Sequence, residues 1–123
     1  MRAAVPICVE PNKQCIVTIP QDCAYQITNI ALDSSMENAP NQGKVVLYIK
    51  VNDNEEYAIA SFIIGKDECG RANNIFQGEK LSFRTKGAPI PVHIMGLLEN
   101  GFELNIQNGG NLKIIPPENQ DEQ

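Results

Sequence analysis

Apolar residues in this chain recur at every second position, in short runs cut off by turn-forming residues, and that period commits the backbone to β-structure. The clearest run is residues 45–51, where Val45, Leu47, Ile49 and Val51 fall on one face and Val46, Tyr48 and Lys50 on the other. A polar turn, Asn52-Asp53-Asn54-Glu55, follows. In residues 56–64, Tyr57, Ile59, Ser61 and Ile63 then alternate with Ala58, Ala60, Phe62 and Ile64. The two runs and their turn predict a hairpin. No window of about 11 residues carries a 3.6-residue period free of proline or glycine.

Six further runs predict strands. Residues 14–19 place Cys15, Val17 and Ile19 on one face. Residues 24–32 begin with Tyr25 and Ile27 and then change phase to Ile30 and Leu32, which predicts a bulge near Asn29. Residues 80–85 offer Leu81 and Phe83, and residues 91–98 set Val92, Ile94 and Leu98 against His93, Met95 and Leu97. Residues 102–106 and 112–115 flank Asn108-Gly109-Gly110-Asn111, a turn that predicts a last hairpin. Residues 33–44 and 65–74 read as long loops. Pro116-Pro117 ends the pattern, so residues 1–115 read as one β domain and residues 116–123 as a disordered acidic tail. Eight short strands in one domain imply a sandwich, jelly roll or barrel.

With 123 residues, 42% of them hydrophobic, the chain can build one real core. Its longest apolar stretch, residues 58–64, is interrupted by Ser61 and falls far short of the roughly 20 residues a membrane helix needs. Pro6, Glu10 and Pro11 break the short apolar run after Arg2, which argues against a secretory signal. The net charge of −5 is unevenly spread. Residues 1–98 hold ten acids and nine bases, whereas residues 99–123 hold five acids and only Lys113. No basic stripe for nucleic acid is present, so a partner guided by charge would be basic.

Catalytic patterns are missing. His93 is the single histidine, and Val92 and Ile94 beside it make it a strand residue with a structural hydrogen bond. No G-x-S-x-G, Walker loop, G-x-G-x-x-G or H-E-x-x-H occurs, and the reading is of a domain that is not an enzyme and needs no cofactor. Cys8, Cys15, Cys23 and Cys69 lack C-x-x-C spacing, so free and mostly buried thiols are favoured over disulfides, and metal least of all. The carboxylate pairs Glu55-Glu56 and Asp67-Glu68 lie in turns, where solvation is the ordinary role. With no Trp and three Tyr, the chain lacks the aromatic platforms of a lectin or a single-strand binder.

Five segments, taken in order, carry a family resemblance. They are Val9-Glu10-Pro11-Asn12-Lys13, I-T-N-I-A-L-D at 27–33, Y-A-I-A-S-F at 57–62, G-E-K-L-S-F-R-T-K-G at 78–87 and V-H-I-M-G-L at 92–97. Together they resemble the nucleoplasmin-like domain, most closely the version at the N-terminus of nuclear FK506-binding-type prolyl isomerases, over residues 7–98. The resemblance implies an eight-stranded jelly roll, here with an extra C-terminal hairpin, that assembles as a homopentamer or as two stacked rings. It also implies a nuclear histone chaperone for one or both core histone pairs, while the charge and apolar patterns above argue against direct contact with nucleic acid or membrane. The isomerase domain of the longer relatives does not carry over.

On this reading Asp53, Glu55 and Glu56, with Glu118, Asp121 and Glu122 of the tail, would bind histones. Val46, Tyr48, Phe62 and Ile64 give their strands apolar residues on the side away from the core, to be covered by a neighbouring subunit or else by the chain's own loops or last hairpin. Two other functions stay open: an oligomerisation scaffold with no histone binding of its own, and a small-ligand carrier in a closed β barrel.

Overall fold

The computed structural model describes residues 2–33, 35, 40–99, 104–108 and 111–115. They form ten strands and no helix. In chain order these are β1 (Arg2–Val9), β2 (Cys15–Thr18), β3 (Ala24–Leu32), β4 (Lys44–Val51) and β5 (Tyr57–Ile63), then β6 (Cys69–Gln77), β7 (Lys80–Gly87), β8 (Val92–Glu99), β9 (Leu104–Asn108) and β10 (Asn111–Ile115). One sheet has the order β1-β8-β3-β6 and the other β10-β9-β2-β7-β4-β5, with every pairing antiparallel. From β1 to β8 only the β4–β5 hairpin stays within one sheet; every other connection crosses to the opposite one. That winding is a jelly roll of eight strands, and β9–β10 is a hairpin added beside β2.

Alternation places the core between the sheets. Val45, Leu47 and Ile49 of β4, Leu81 and Phe83 of β7, and Val92, Ile94 and Leu98 of β8 are essentially solvent-free. Each such aliphatic or aromatic side chain contributes roughly 1.5–3 kcal/mol through burial.

Two strands lie where none is expected. In β1, Ala3, Val5, Ile7 and Val9 all point inward, and the obstacle to reading a strand there is Pro6. Proline is tolerated because β1 is an edge strand, so the missing N–H need not serve a second neighbour. Residues 65–74 are not a single loop, because β6 starts at Cys69. Of its nine residues only Phe76 is buried, which leaves almost no period to read. Pairing to β3 through the backbone makes it a strand.

Both bulges on the hairpin-side and β3-side strands re-aim side chains. The register of β3 shifts between Ile27 and Asn29 against both neighbours, as the phase change predicts, and the bypassed Thr28 donates its Oγ1 hydrogen to the Met95 carbonyl at 3.1 Å. In β5 the register passes from Leu47↔Ala60 to Tyr48↔Ala58, bypassing Ile59. Ile59 and Ala60 therefore both pack against the core, and the simple alternation expected over residues 56–64 fails there.

One internal clamp has no counterpart in the hydrophobic pattern. The Tyr25 ring lies across β8 at Gly96, and its hydroxyl donates to the Val5 carbonyl at 2.6 Å. A Cβ on Gly96 would sit 2.3 Å from the Tyr25 ring, so glycine is required there for space. Burial, with a smaller contribution from Cys15, raises the Tyr25 pKa.

None of the four cysteines forms a disulfide. Cys15 and Cys23 are buried and Cys8 is half-buried, but Cys69 is exposed at the start of edge strand β6, against the expectation of a mostly buried set. Burial, reinforced by Cys8, pushes the Cys15 thiol up to about 12.

Candidate functional site

The β4–β5 turn is held by a reciprocal pair of hydrogen bonds to β7. Asn52 adopts φ 54°, a left-handed conformation that asparagine tolerates. Its N–H donates to the Lys80 carbonyl at 2.7 Å, and the Lys80 N–H donates to Asn52 Oδ1 at 2.9 Å. The Asn54 N–H closes the turn on the Val51 carbonyl at 3.0 Å. This clasp holds Asp53 and Glu55 in solvent at one end of the six-stranded sheet.

A hollow of about 440 Å³ opens beside the turn, lined by Gln14, Lys50, Asp53, Asn54, Glu55, Glu56 and Arg84. It brings the three predicted turn carboxylates together, but they are not equivalent. Glu56 is bound on both oxygens by Arg84, which donates from Nε to Oε2 at 2.6 Å and from a terminal nitrogen to Oε1 at 2.5 Å. The Arg84 hydrogen bonds hold the Glu56 pKa below the ordinary carboxylate range. Asp53 and Glu55 have no cationic partner among the described residues. Three carboxylates against Lys50 and Arg84 leave the hollow one negative charge in excess. Glu118, Asp121 and Glu122 lie outside the described residues.

The four residues expected to face a neighbouring subunit divide into two pairs. Val46 and Tyr48 point away from the core and are half-buried. The Tyr48 ring is covered within the chain, by the Arg84 guanidinium 5.1 Å and the Lys86 ammonium 5.8 Å from its centroid. Phe62 and Ile64 instead point into the chain's own core, at 3% and 8% exposure. The β5 bulge and the packing of Phe62 opposite Val45 set that direction.

Among the described residues, the large apolar side chains that do face solvent are Tyr57 and Ile63 on β5, Ile75 on β6 and Met95 on β8. Met95 falls on the outward face of its run, as the alternation predicts. Ile75 is hidden in sequence by the polar residues around it.

His93 is an outward strand residue whose Nε2 lies 3.0 Å from Asp33 Oδ2. Asp33 also accepts hydrogen bonds from the backbone N–H and the hydroxyl of Ser35. The Ser35 hydroxyl first, then His93, lower the Asp33 pKa to about 2. These contacts tie the start of the loop after β3 to β8. No group of three or more His, Cys, Asp or Glu suited to hold a metal occurs among the described residues.

An eight-stranded jelly roll places the chain among the two-sheet β-sandwich modules. Within that class the model of the nucleoplasmin-like domain matches residues 7–99, and the chain belongs to this family. Two solved structures share the fold. The Drosophila NLP core, described for pentamer formation and histone binding, superposes with a TM-score of 0.68 at 16% identity, covering 78% of this chain and 97% of that one. The nucleoplasmin-like N-terminal domain of Drosophila FKBP39 gives a TM-score of 0.58 at 18% identity, covering 82% of this chain and 92% of that one. No curated protein matches the chain.

Proposed function

We propose that this chain is a ring-forming, non-enzymatic histone-chaperone domain of the nucleus. The observation that carries the reading is the family match over residues 7–99, together with a fold shared with a core described for pentamer formation and histone binding. Asp53 and Glu55 supply the carboxylates that meet basic histone segments, and Glu56 contributes less because Arg84 already neutralises it. Glu118, Asp121 and Glu122 add further carboxylates for the same basic segments. Such contacts are screened over about 8 Å at physiological ionic strength, so binding weakens as salt rises.

A closed ring of identical subunits uses a head-to-tail contact, in which two different patches of one chain meet. Exposed apolar side chains on both outer faces support this: Ile63, opposite Lys44, on the six-stranded sheet, and Met95 and Ile75, on the strands either side of β3, on the other. Native mass by light scattering at moderate salt tests the ring. A mass near five or ten times 13.5 kDa is expected. A monomer would overturn the reading and favour the carrier. A ring that binds no histone would leave the scaffold.

A further inference from the structure

We propose that the groove between the β1–β2 turn and the end of β7 binds a short acidic peptide segment. The groove measures about 480 Å³, and Pro11, Asn12, Lys13, Arg84, Lys86 and Pro89 are among its walls. That volume is within the ordinary range of ligand sites, about 300–1,000 Å³. Three cations line it and no carboxylate does. Arg84 is committed to Glu56, and Lys86 lies over the Tyr48 ring within electrostatic reach of Glu56, whereas Lys13 has no carboxylate partner among the described residues. Both lysines are exposed, so their charges are available to an incoming anion.

Two unusual backbone positions build the walls. Asn12 holds φ 64° in the β1–β2 turn, and Gly87 holds φ 112° where β7 ends. A Cβ on Gly87 would lie 2.0 Å from the Lys44 carbonyl oxygen, so only glycine lets β7 leave β4 this closely. The Ala88 N–H then bonds that same carbonyl at 3.0 Å and fixes the rim. A site already held by the fold loses little freedom when a ligand enters.

Charge selects an anion, and the surroundings select a peptide over a nucleic acid. The Tyr48 ring beside these cations is already covered by Arg84 and Lys86 and is not an open platform for base stacking. The adjoining hollow shares Gln14 and Arg84 with the groove and carries Asp53, Glu55 and Glu56, which repel a polyanion extending past the groove. A few consecutive carboxylates fit between these limits.

The test uses the full chain and a short fluorescent glutamate peptide, with anisotropy read at low and moderate salt. Saturable binding is expected, weakened about five- to tenfold by Lys13→Gln with Lys86→Gln, the size expected for two exposed charge pairs. Lys86→Arg with Lys13→Arg should retain binding, and Lys66→Gln, outside the groove, should change nothing. Equal weakening by Lys66→Gln, or no weakening by the groove pair, would overturn the proposal. Tighter binding of a single-stranded oligonucleotide of equal charge would overturn it in favour of nucleic acid. Histone binding by the Lys13→Gln/Lys86→Gln variant should persist, so failure here and failure of the histone reading are separable.

Discussion

The two outer sheet faces cover their outward side chains to different extents, although Ile63 stays 46% exposed on the six-stranded one. On the six-stranded sheet, Tyr48 lies beneath Arg84 and Lys86, and Arg84 is clamped to Glu56, so the chain covers its own outward aromatic with its own charges. On the four-stranded sheet, Met95 and Ile75 stand 41% and 64% exposed, and the main polar tie, His93 to Asp33, sits toward the loop after β3. An outward apolar residue therefore does not by itself mark a contact surface. What matters is whether neighbouring strands supply a cover at the same register. Tyr48 pairs directly with Arg84 across β4 and β7, whereas the Met95 row places Pro6 and Asn29 on either side.

The largest effect is expected where the four-stranded sheet has no slack. Gly96→Ala forces a Cβ into the Tyr25 ring and should cost about 3 kcal/mol or more, visible as a lowered denaturant midpoint. Little change would mean that Tyr25 can leave its clamp. Tyr25→Phe removes only the bond to the Val5 carbonyl and should cost about 1–3 kcal/mol.

The assembly prediction breaks or sharpens the contrast between the faces directly. Met95→Lys with Ile75→Lys should reduce the native mass to that of the 13.5 kDa chain while leaving the monomer folded. Tyr48→Ala, on the self-covered face, should leave the ring intact. The reverse outcome would place the contact at Tyr48 rather than at Met95 and Ile75.

In acid, each face holds a carboxylate whose pKa is lowered in the fold, Asp33 on one side and Glu56 on the other. A lowered folded pKa gives stability that is present above the unfolded value and lost as pH falls through the folded one. Asp33 should thus lose its contribution between about pH 4 and pH 2. The melting-temperature difference between wild type and Asp33→Asn should shrink across that window. A difference independent of pH would show that the Asp33 contacts do not depend on its charge. The smallest effect is expected at the turn, where Asp53→Asn with Glu55→Gln should weaken histone binding several-fold at low salt. Glu56→Gln alone should weaken it less, because Arg84 already occupies that carboxylate.

Much of the fold was legible because burial in a two-sheet sandwich imposes a period of two. The β4 alternation, the β3 bulge and the inward set of β8 were all readable from residue order. Two edge strands, β1 and β6, escaped that logic. β6 has one buried side chain and β1 contains Pro6, since an edge strand needs a single hydrogen-bonded neighbour and few core residues. The turn carboxylates were legible as a group, but the Arg84 contact that separates Glu56 from Asp53 and Glu55 joins residues 28 positions apart.

Residue order alone therefore determined a β-sandwich core, its turns and its family, because those depend on local alternation and short segments. Tertiary structure alone decided which outward side chains stay uncovered and which glycines are indispensable. It also decided that Phe62 and Ile64 serve the chain's own core. The physical reason is register: a bulge that bypasses Ile59, or a ring crossing at Gly96, changes what faces what across strands distant in sequence.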